Sequence, residues 1–254
     1  MLDLLRTIVD KQAAEIQEVN RLLMKSRGKL LTKTEMLTLR NQQVTTSIRA
    51  AQLIQNAILP FEQRLQEVLG EHFLIYLPKD IVSGDFYWIC EVNEKRMVAV
   101  ADCTGHGVSG SLMATLGYAL LNEIIGKGVC EPALILKELN EKLTATLRQE
   151  VTKNQAGMDI ILCKIEPKEI KSEEAKPEEI KQKTTQYLIT HSSSRRPLYY
   201  TQEQKLIKVK GDKQYIGGRF NHYKPRPFEQ HQVVLNKGET LYLTTDGFAD
   251  TPNI

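Results

Sequence analysis

The sequence has no apolar run of about 18 residues, the length a helix needs to span a bilayer. Its first twenty residues, MLDLLRTIVDKQAAEIQEVN, mix acids and bases from the start and contain no small-residue cleavage site, so they do not read as a secretory signal. A cytoplasmic protein without a membrane segment is expected. Cysteine is scarce: Cys90, Cys103, Cys130 and Cys163 stand far apart with no CxxC spacing, which argues against a zinc site and against a disulfide framework. Charge of one sign is also lacking. The 34 basic and 31 acidic side chains leave a net charge of +3, and no basic cluster alternates with aromatics, so nucleic acid is not an expected partner. No proline occurs before Pro60, and that absence leaves room for a long helix.

Such a helix is what the first part of the chain encodes. Every seventh residue from the start is apolar: Leu2, Val9, Ile16, Leu23, Leu30, Leu37, Val44, Ala51 and Ile58. A period of 3.5 keeps one seam facing a partner helix over many turns, as a left-handed coiled coil requires. The companion positions alternate between apolar Leu5, Val19 and Ile54 and polar Gln12, Ser26, Lys33, Arg40 and Ser47, so the coil is expected to be of moderate stability. Some 58 residues of helix would extend roughly 87 Å, beyond what a small globule can cover, and this favours pairing with a second chain. The expected organisation is a coiled-coil signalling helix over 1–59 and a globular domain over 60–254.

After Pro60 the pattern changes to short β-rich runs. FLIYLP, DFYWICEV and RMVAVAD have strand length and composition. Helical patterns follow at Ser109 to Ile125 and Glu131 to Arg148. Strands are expected again at Met158 to Ile165, Gln186 to Thr190, Leu198 to Tyr200, Lys205 to Val209 and Thr240 to Thr245. Strands, then helices, then strands describe an α+β sandwich better than a βαβ repeat. The charged stretch PKEIKSEEAKPEEIKQK reads as a solvated loop.

Three segments place an aspartate where an apolar run meets a glycine-bearing turn: VSGDFY with Asp85, VADCTGHG with Asp102, and LTTDG with Asp246. One Asp-Gly pair is ordinary turn chemistry. Three carboxylates at strand ends need a cation or strong donors to offset their desolvation, and oxygen-only ligands favour Mg²⁺ or Mn²⁺ over zinc. No GxSxG elbow is present.

These residues resemble the PPM-type metal-dependent serine/threonine phosphatases, in particular the SpoIIE-like (RsbU-like) branch of bacterial partner-switching pathways. The likeness runs from about Ala51 to the end, through AAQLIQNAILP, LPKDIVSGDFYW, ADCTGHGVSGSLMA, GMDIIL, IGGRF and GETLYLTTDGFAD. The resemblance implies a four-layer αββα sandwich with two Mn²⁺ or Mg²⁺ ions at one edge. It implies Asp85 and Asp102 as inner ligands, the backbone carbonyl of Cys103 assisting, and Asp246 reaching the second ion. Asp159 reads either as an outer or third-metal residue or as a strand-end carboxylate bonded to backbone amides. His106 reads either as a phosphate contact or proton donor, or as a structural turn residue. Arg195, Arg196 and Arg219 read either as contacts to a phosphoprotein or as ordinary exposed arginines, and no role is assigned to them. The resemblance further implies a phosphorylated regulatory protein as substrate, of the anti-sigma-factor-antagonist type, and a regulatory coupling point at Ile54 and Ile58.

In that family the fold continues past the TDG segment to a strand with one more metal-binding aspartate. The sequence ends at Ile254, and Asp250 stands too close to Asp246 to substitute, so a C-terminally incomplete version of the fold is expected. The alternative expectation is a catalytically impaired, phosphatase-like binding or dimerisation module. For the helix, a parallel homodimer is expected at micromolar concentration. Replacing Leu23 and Leu30 by Lys should give a monomer by sedimentation; a wild-type chain that stays monomeric at every concentration contradicts the pairing.

Overall fold

A computed structural model describes residues 1–168, 186–218 and 226–247. Arg219 and Asp250 lie outside the described residues. The chain divides into two compact units, Met1–Ala50 and Ala51–Ile254. The first is helix throughout. Helix α1 runs over Leu2–Ile58, and its seam residues Leu2, Val9, Ile16, Leu23, Leu30, Leu37 and Val44 are exposed, like every other residue of positions 1–44. Expected as strand-rich from Pro60, the second unit instead begins with the last two turns of α1 and a short amphipathic helix, α2, Glu62–Leu69.

Strands β1 (Asp85–Val92) and β2 (Lys95–Cys103) form a hairpin, followed by helices α3 (Gly107–Gly126), α4 (Pro132–Thr146) and the single turn α5 (Gln149–Thr152). Then come β3 (Gly157–Lys168), β4 (Gln186–Ser194), β5 (Leu198–Gln202), β6 (Lys205–Val209), β7 (Ile216–Gly217), β8 (His231–Leu235) and β9 (Leu241–Leu243). The first sheet has the order β1-β2-β3-β4-β8, with β7 paired to β3; the second has the order β6-β5-β9. All named pairings are antiparallel. This is the α+β class that the order of patterns predicts.

Period-two alternation divides the first sheet between two cores. Phe86, Trp88, Met97, Ala99, Ile160 and Leu162 face α3 and α4. Ile161, Cys163 and Ile189 face the opposite way, against Leu198 and Tyr200 of the second sheet. The indole N–H of buried Trp88 donates to Asn122 Oδ1 of α3 at 2.8 Å, which satisfies the one polar group that this side chain brings into the core. Helix α3 has the length and apolar composition of a membrane span, yet half of its most apolar stretch is buried within the domain, the behaviour of a core helix.

The expected strand at FLIYLP does not form. Residues 73–78 carry no strand pairing, and Phe73, Ile75 and Leu77 stay 64%, 67% and 86% exposed. β-propensity reports how well a side chain packs on a pleated surface, and among the described residues no neighbouring strand supplies that surface. Two of the segment's rings find edge-on aromatic partners instead: Phe73 against Tyr242 of β9 with centroids 5.9 Å apart, and Tyr76 against Tyr87 of β1 at 5.5 Å.

The β1–β2 turn fixes the register of the hairpin. Asn93 and Glu94 both take left-handed backbone (φ 50° and 63°), the two-residue turn whose twist matches paired strands. The turn pairs Val92 with Lys95, and counting back along that register sets Asp85 opposite Asp102. At the far end Gly84, Gly105 and Gly110 crowd together. A Cβ on Gly110 would lie 2.6 Å from the Gly105 carbonyl and 2.9 Å from Gly84 Cα, so the first turn of α3 can approach the Asp85 loop only because these positions lack side chains. Gly110→Ala should therefore cost about 1–3 kcal/mol through overpacking against rigid backbone, read as a lower urea midpoint with an unchanged slope.

Candidate functional site

The paired strands bring the carboxylates together. β1 and β2 pair Asp85 with Asp102, and β2 and β3 pair Asp102 with Asp159. Three aspartates thus stand in one row across adjacent strands, where Cα atoms are separated by about 5 Å. Asp246 arrives from the second sheet. β5 and β9 pair Leu198 with Leu243; two residues before Leu198 is Arg196 and three beyond Leu243 is Asp246, so both fall at the same end of that ladder. The site therefore sits at the edge where the ends of the two sheets meet.

Each carboxylate is held by its surroundings. The Asp85 N–H donates to Ser83 Oγ at 3.0 Å, and the Tyr76 hydroxyl donates to the Asp85 carbonyl at 3.2 Å. Thr245 and Asp102 lie beside the Asp85 carboxylate and act to lower its pKa. Asp159 is 8% exposed, and its Oδ1 is buried without a hydrogen-bond partner; the nearest cationic atom is Arg195 Nε at 3.7 Å. Arg196 Nη2 donates to Asp246 Oδ2 at 2.9 Å, contacts Asp102 Oδ2 directly, and stands 3.4 Å from Asp159 Oδ2. Arg196, given no role by its sequence position, is the side chain that links three of the four aspartates. The only sequence signal for it is a cation at a strand end facing the TTDG turn.

One guanidinium cannot balance this cluster. Burial, then the charge of Asp85, pushes Asp102 up to about 7 despite Arg196. Burial, offset in part by Thr245 and Asp102, also raises Asp85. Asp159 is raised by burial against the pull of Arg195 and Arg196. Asp246 alone is held low: burial acts to raise it, but the hydrogen bond and charge of Arg196 together outweigh that. Unbalanced carboxylates, one of them with an orphaned buried oxygen, are a donor set that fits hard divalent cations. Among the described residues, no three His, Cys, Asp or Glu side chains stand in ready-made coordination, and the Arg196 guanidinium lies against Asp102 and Asp246.

Cys103 divides its two functions between side chain and backbone. Its thiol is buried in the core, and burial pushes it well above the ordinary thiol range, so no thiolate is offered. Its N–H donates to the Gly84 carbonyl at 3.3 Å, and its own carbonyl lies on the glycine side of the loop, 3.3 Å from where a Gly84 Cβ would be. His106 precedes α3, and its Nδ1 lies 2.9 Å from Asp80 Oδ2. A carboxylate can only accept, so Nδ1 carries the proton in this pair.

The sequence profile of the stage II sporulation protein E (SpoIIE) family matches residues 93–254. Among solved structures, the SiaA-PP2C domain of Pseudomonas aeruginosa is 30% identical, with 83% of this chain and 74% of that one covered and a TM-score of 0.64. The PP2C phosphatase domain with a regulatory fragment of SpoIIE from Bacillus subtilis is 18% identical, covering 68% of this chain and 45% of that one at a TM-score of 0.46. The RsbU and RsbW domains of Rv1364c from Mycobacterium tuberculosis are 16% identical, covering 68% and 42% at a TM-score of 0.48. No curated protein sequence matches significantly.

The raised carboxylates give a pH signature. A group whose value is higher in the folded chain favours folding when protonated and loses that contribution as pH rises through the folded value. In the presence of a chelator, stability should therefore fall as pH rises from about 4 to about 7 through the contribution of Asp102. Asp102→Asn should flatten that slope in urea melts taken across the range; an unchanged slope would assign it to other groups.

Proposed function

The chain belongs to the SpoIIE family of phosphatases, and from that premise we propose that it is a metal-dependent protein phosphatase acting on phosphoserine or phosphothreonine of a bacterial regulatory protein. The observation that carries this reading is the convergence of Asp85, Asp102 and Asp246 from distant parts of the chain onto one sheet edge. Asp85 and Asp102, on hydrogen-bonded strands, are the rigid ligands in this proposal. Asp246, on a turn and with its side chain 56% exposed, is the adjustable one. The Cys103 carbonyl assists, and Asp159 stands beside Asp102 as a further carboxylate.

When bound, two Mn²⁺ or Mg²⁺ ions supply a water of lowered pKa and neutralise the phosphoryl oxygens. The residues of the chain do the rest. The aspartate row fixes where the phosphoryl group can sit, and the buried strand ends keep bulk water from the inner carboxylates. His106, held by Asp80 through Nδ1 at the start of α3, is in this proposal a contact for the phosphate. No side-chain nucleophile is required by this chemistry.

The proposed partner is a phosphorylated antagonist of an anti-sigma factor, met in the cytoplasm by a homodimer joined through α1. Support for the pairing comes from the exposed apolar seam. With Mn²⁺ in excess, the purified chain should release phosphate from a phosphoserine peptide. Asp85→Asn should lower that rate by more than about 100-fold, because changes outside the ligand shell alone cost 10–100-fold. Release no faster than that of the Asp85→Asn chain would leave the phosphoprotein-binding or dimerisation module as the reading.

A further inference from the structure

Arg196 is placed as no ordinary surface arginine would be. Its side chain is 11% exposed, and one nitrogen, Nη2, serves Asp102, Asp159 and Asp246 at once. Its Nε is buried with no hydrogen-bond partner. A guanidinium fitted to a carboxylate uses its fork, with two parallel N–H···O bonds. Here one nitrogen is shared among three acceptors while a buried donor goes unused, so the group is held by the net negative charge of the cluster and not by shape. The backbone aims it there: Arg195 adopts left-handed geometry (φ 59°), and the Arg196 N–H turns back to the Ser194 carbonyl at 2.7 Å.

We propose that Arg196 is a tethered counter-cation: it holds the aspartate cluster together when no divalent ion is bound, and it must leave before one can bind, so that it sets the metal affinity of the site. The inference rests on the reading that Asp85, Asp102 and Asp246 hold divalent ions. Arg196 and a metal ion compete for the same carboxylate oxygens, and two cations cannot share them without strong repulsion. The arginine side chain has several rotatable bonds by which to leave, whereas the aspartates on β1, β2 and β3 are fixed by backbone pairing.

This role makes a prediction that a merely structural arginine does not. Removing a structural arginine lowers both stability and metal affinity. Removing a competitor lowers stability without metal but raises metal affinity. The measurement is Mn²⁺ affinity of the full chain at fixed pH and ionic strength, taken from the metal-loaded side by competition with a chelator, so that a variant unstable without metal is still read. Arg196→Met is expected to tighten Mn²⁺ binding about tenfold, the scale of removing one nearby like charge. Its melting temperature in chelator should fall by about 5 °C relative to the wild type, and saturating Mn²⁺ should abolish the difference. Arg196→Lys, which keeps the charge, should remain within about threefold of wild-type affinity. Arg195→Met, removing a charge that is 54% exposed and 3.7 Å from Asp159, should shift affinity by less than half as much on a logarithmic scale.

Equal or weaker Mn²⁺ binding by Arg196→Met overturns the proposal while leaving the metal reading intact. An equal gain from Arg195→Met overturns it too, since the effect would then be a general field. If the wild-type chain and Arg196→Met both fail to bind Mn²⁺, the metal reading and this inference fall together.

Discussion

The constraint on which the site depends is backbone pairing that forces like charges into a row. Asp85, Asp102 and Asp159 face one another because the β1–β2 and β2–β3 ladders put them opposite. Side-chain rotation relieves only part of their repulsion, and shifting the register by one residue would turn the whole apolar face of each strand outward. The cores on both sides of the sheet, with Trp88, Met97, Ile160, Ile161 and Leu162 fully buried, therefore hold the carboxylates in proximity. Hydrophobic burial stabilises an arrangement that electrostatics opposes, and the opposition is what gives the site its appetite for a cation.

Much of the site was legible in the sequence because it is local. The strand DFYWICEV carries its own signal, and Asp85, Asp102 and Asp246 each stand where an apolar run meets a glycine-bearing turn. The heptad seam was equally plain, since a repeat depends only on spacing. Arg196 was not legible. Its importance arises from the pairing of Leu198 with Leu243 across the second sheet, a contact of 45 residues' separation that no local pattern encodes. The reverse error came at FLIYLP, whose side chains have strand propensity but whose neighbours supply no pleated surface. Helix α2 was missed for a related reason. EQRLQEVL is only 8 residues long, and it is fixed by burying Leu65 and Val68 against Ile89 of β1, a tertiary contact and not a repeat.

The glycines explain how two backbone segments come close enough to serve one site. Gly84 precedes the first aspartate, Gly105 follows the second, and Gly110 lies in the first turn of α3. Their mutual approach leaves the Cys103 carbonyl on the same side as Gly84, while the Cys103 side chain points into the core. A residue at position 103 is therefore judged by its packing, and its carbonyl is available whatever that side chain is. Cysteine, small and apolar when its thiol stays protonated, meets the packing requirement without introducing a charge beside the aspartates.

The last turns of α1 belong to the unit that contains the site. Of the residues here, Ile54 is 65% exposed and Ile58 is half-buried, while Gln55 between them is 6% exposed. Its amide makes both of its bonds to one residue: Nε2 donates to the Ser83 carbonyl at 2.7 Å, and Oε1 accepts from the Ser83 N–H at 3.0 Å. The Ser83 hydroxyl in turn accepts from the Asp85 N–H. A buried amide that loses such a pair leaves two backbone groups unsatisfied as well as its own, at about 1–3 kcal/mol for each group. A polar pair, and not an apolar contact, thus joins the last turns of α1 to the backbone that precedes the first aspartate of the row.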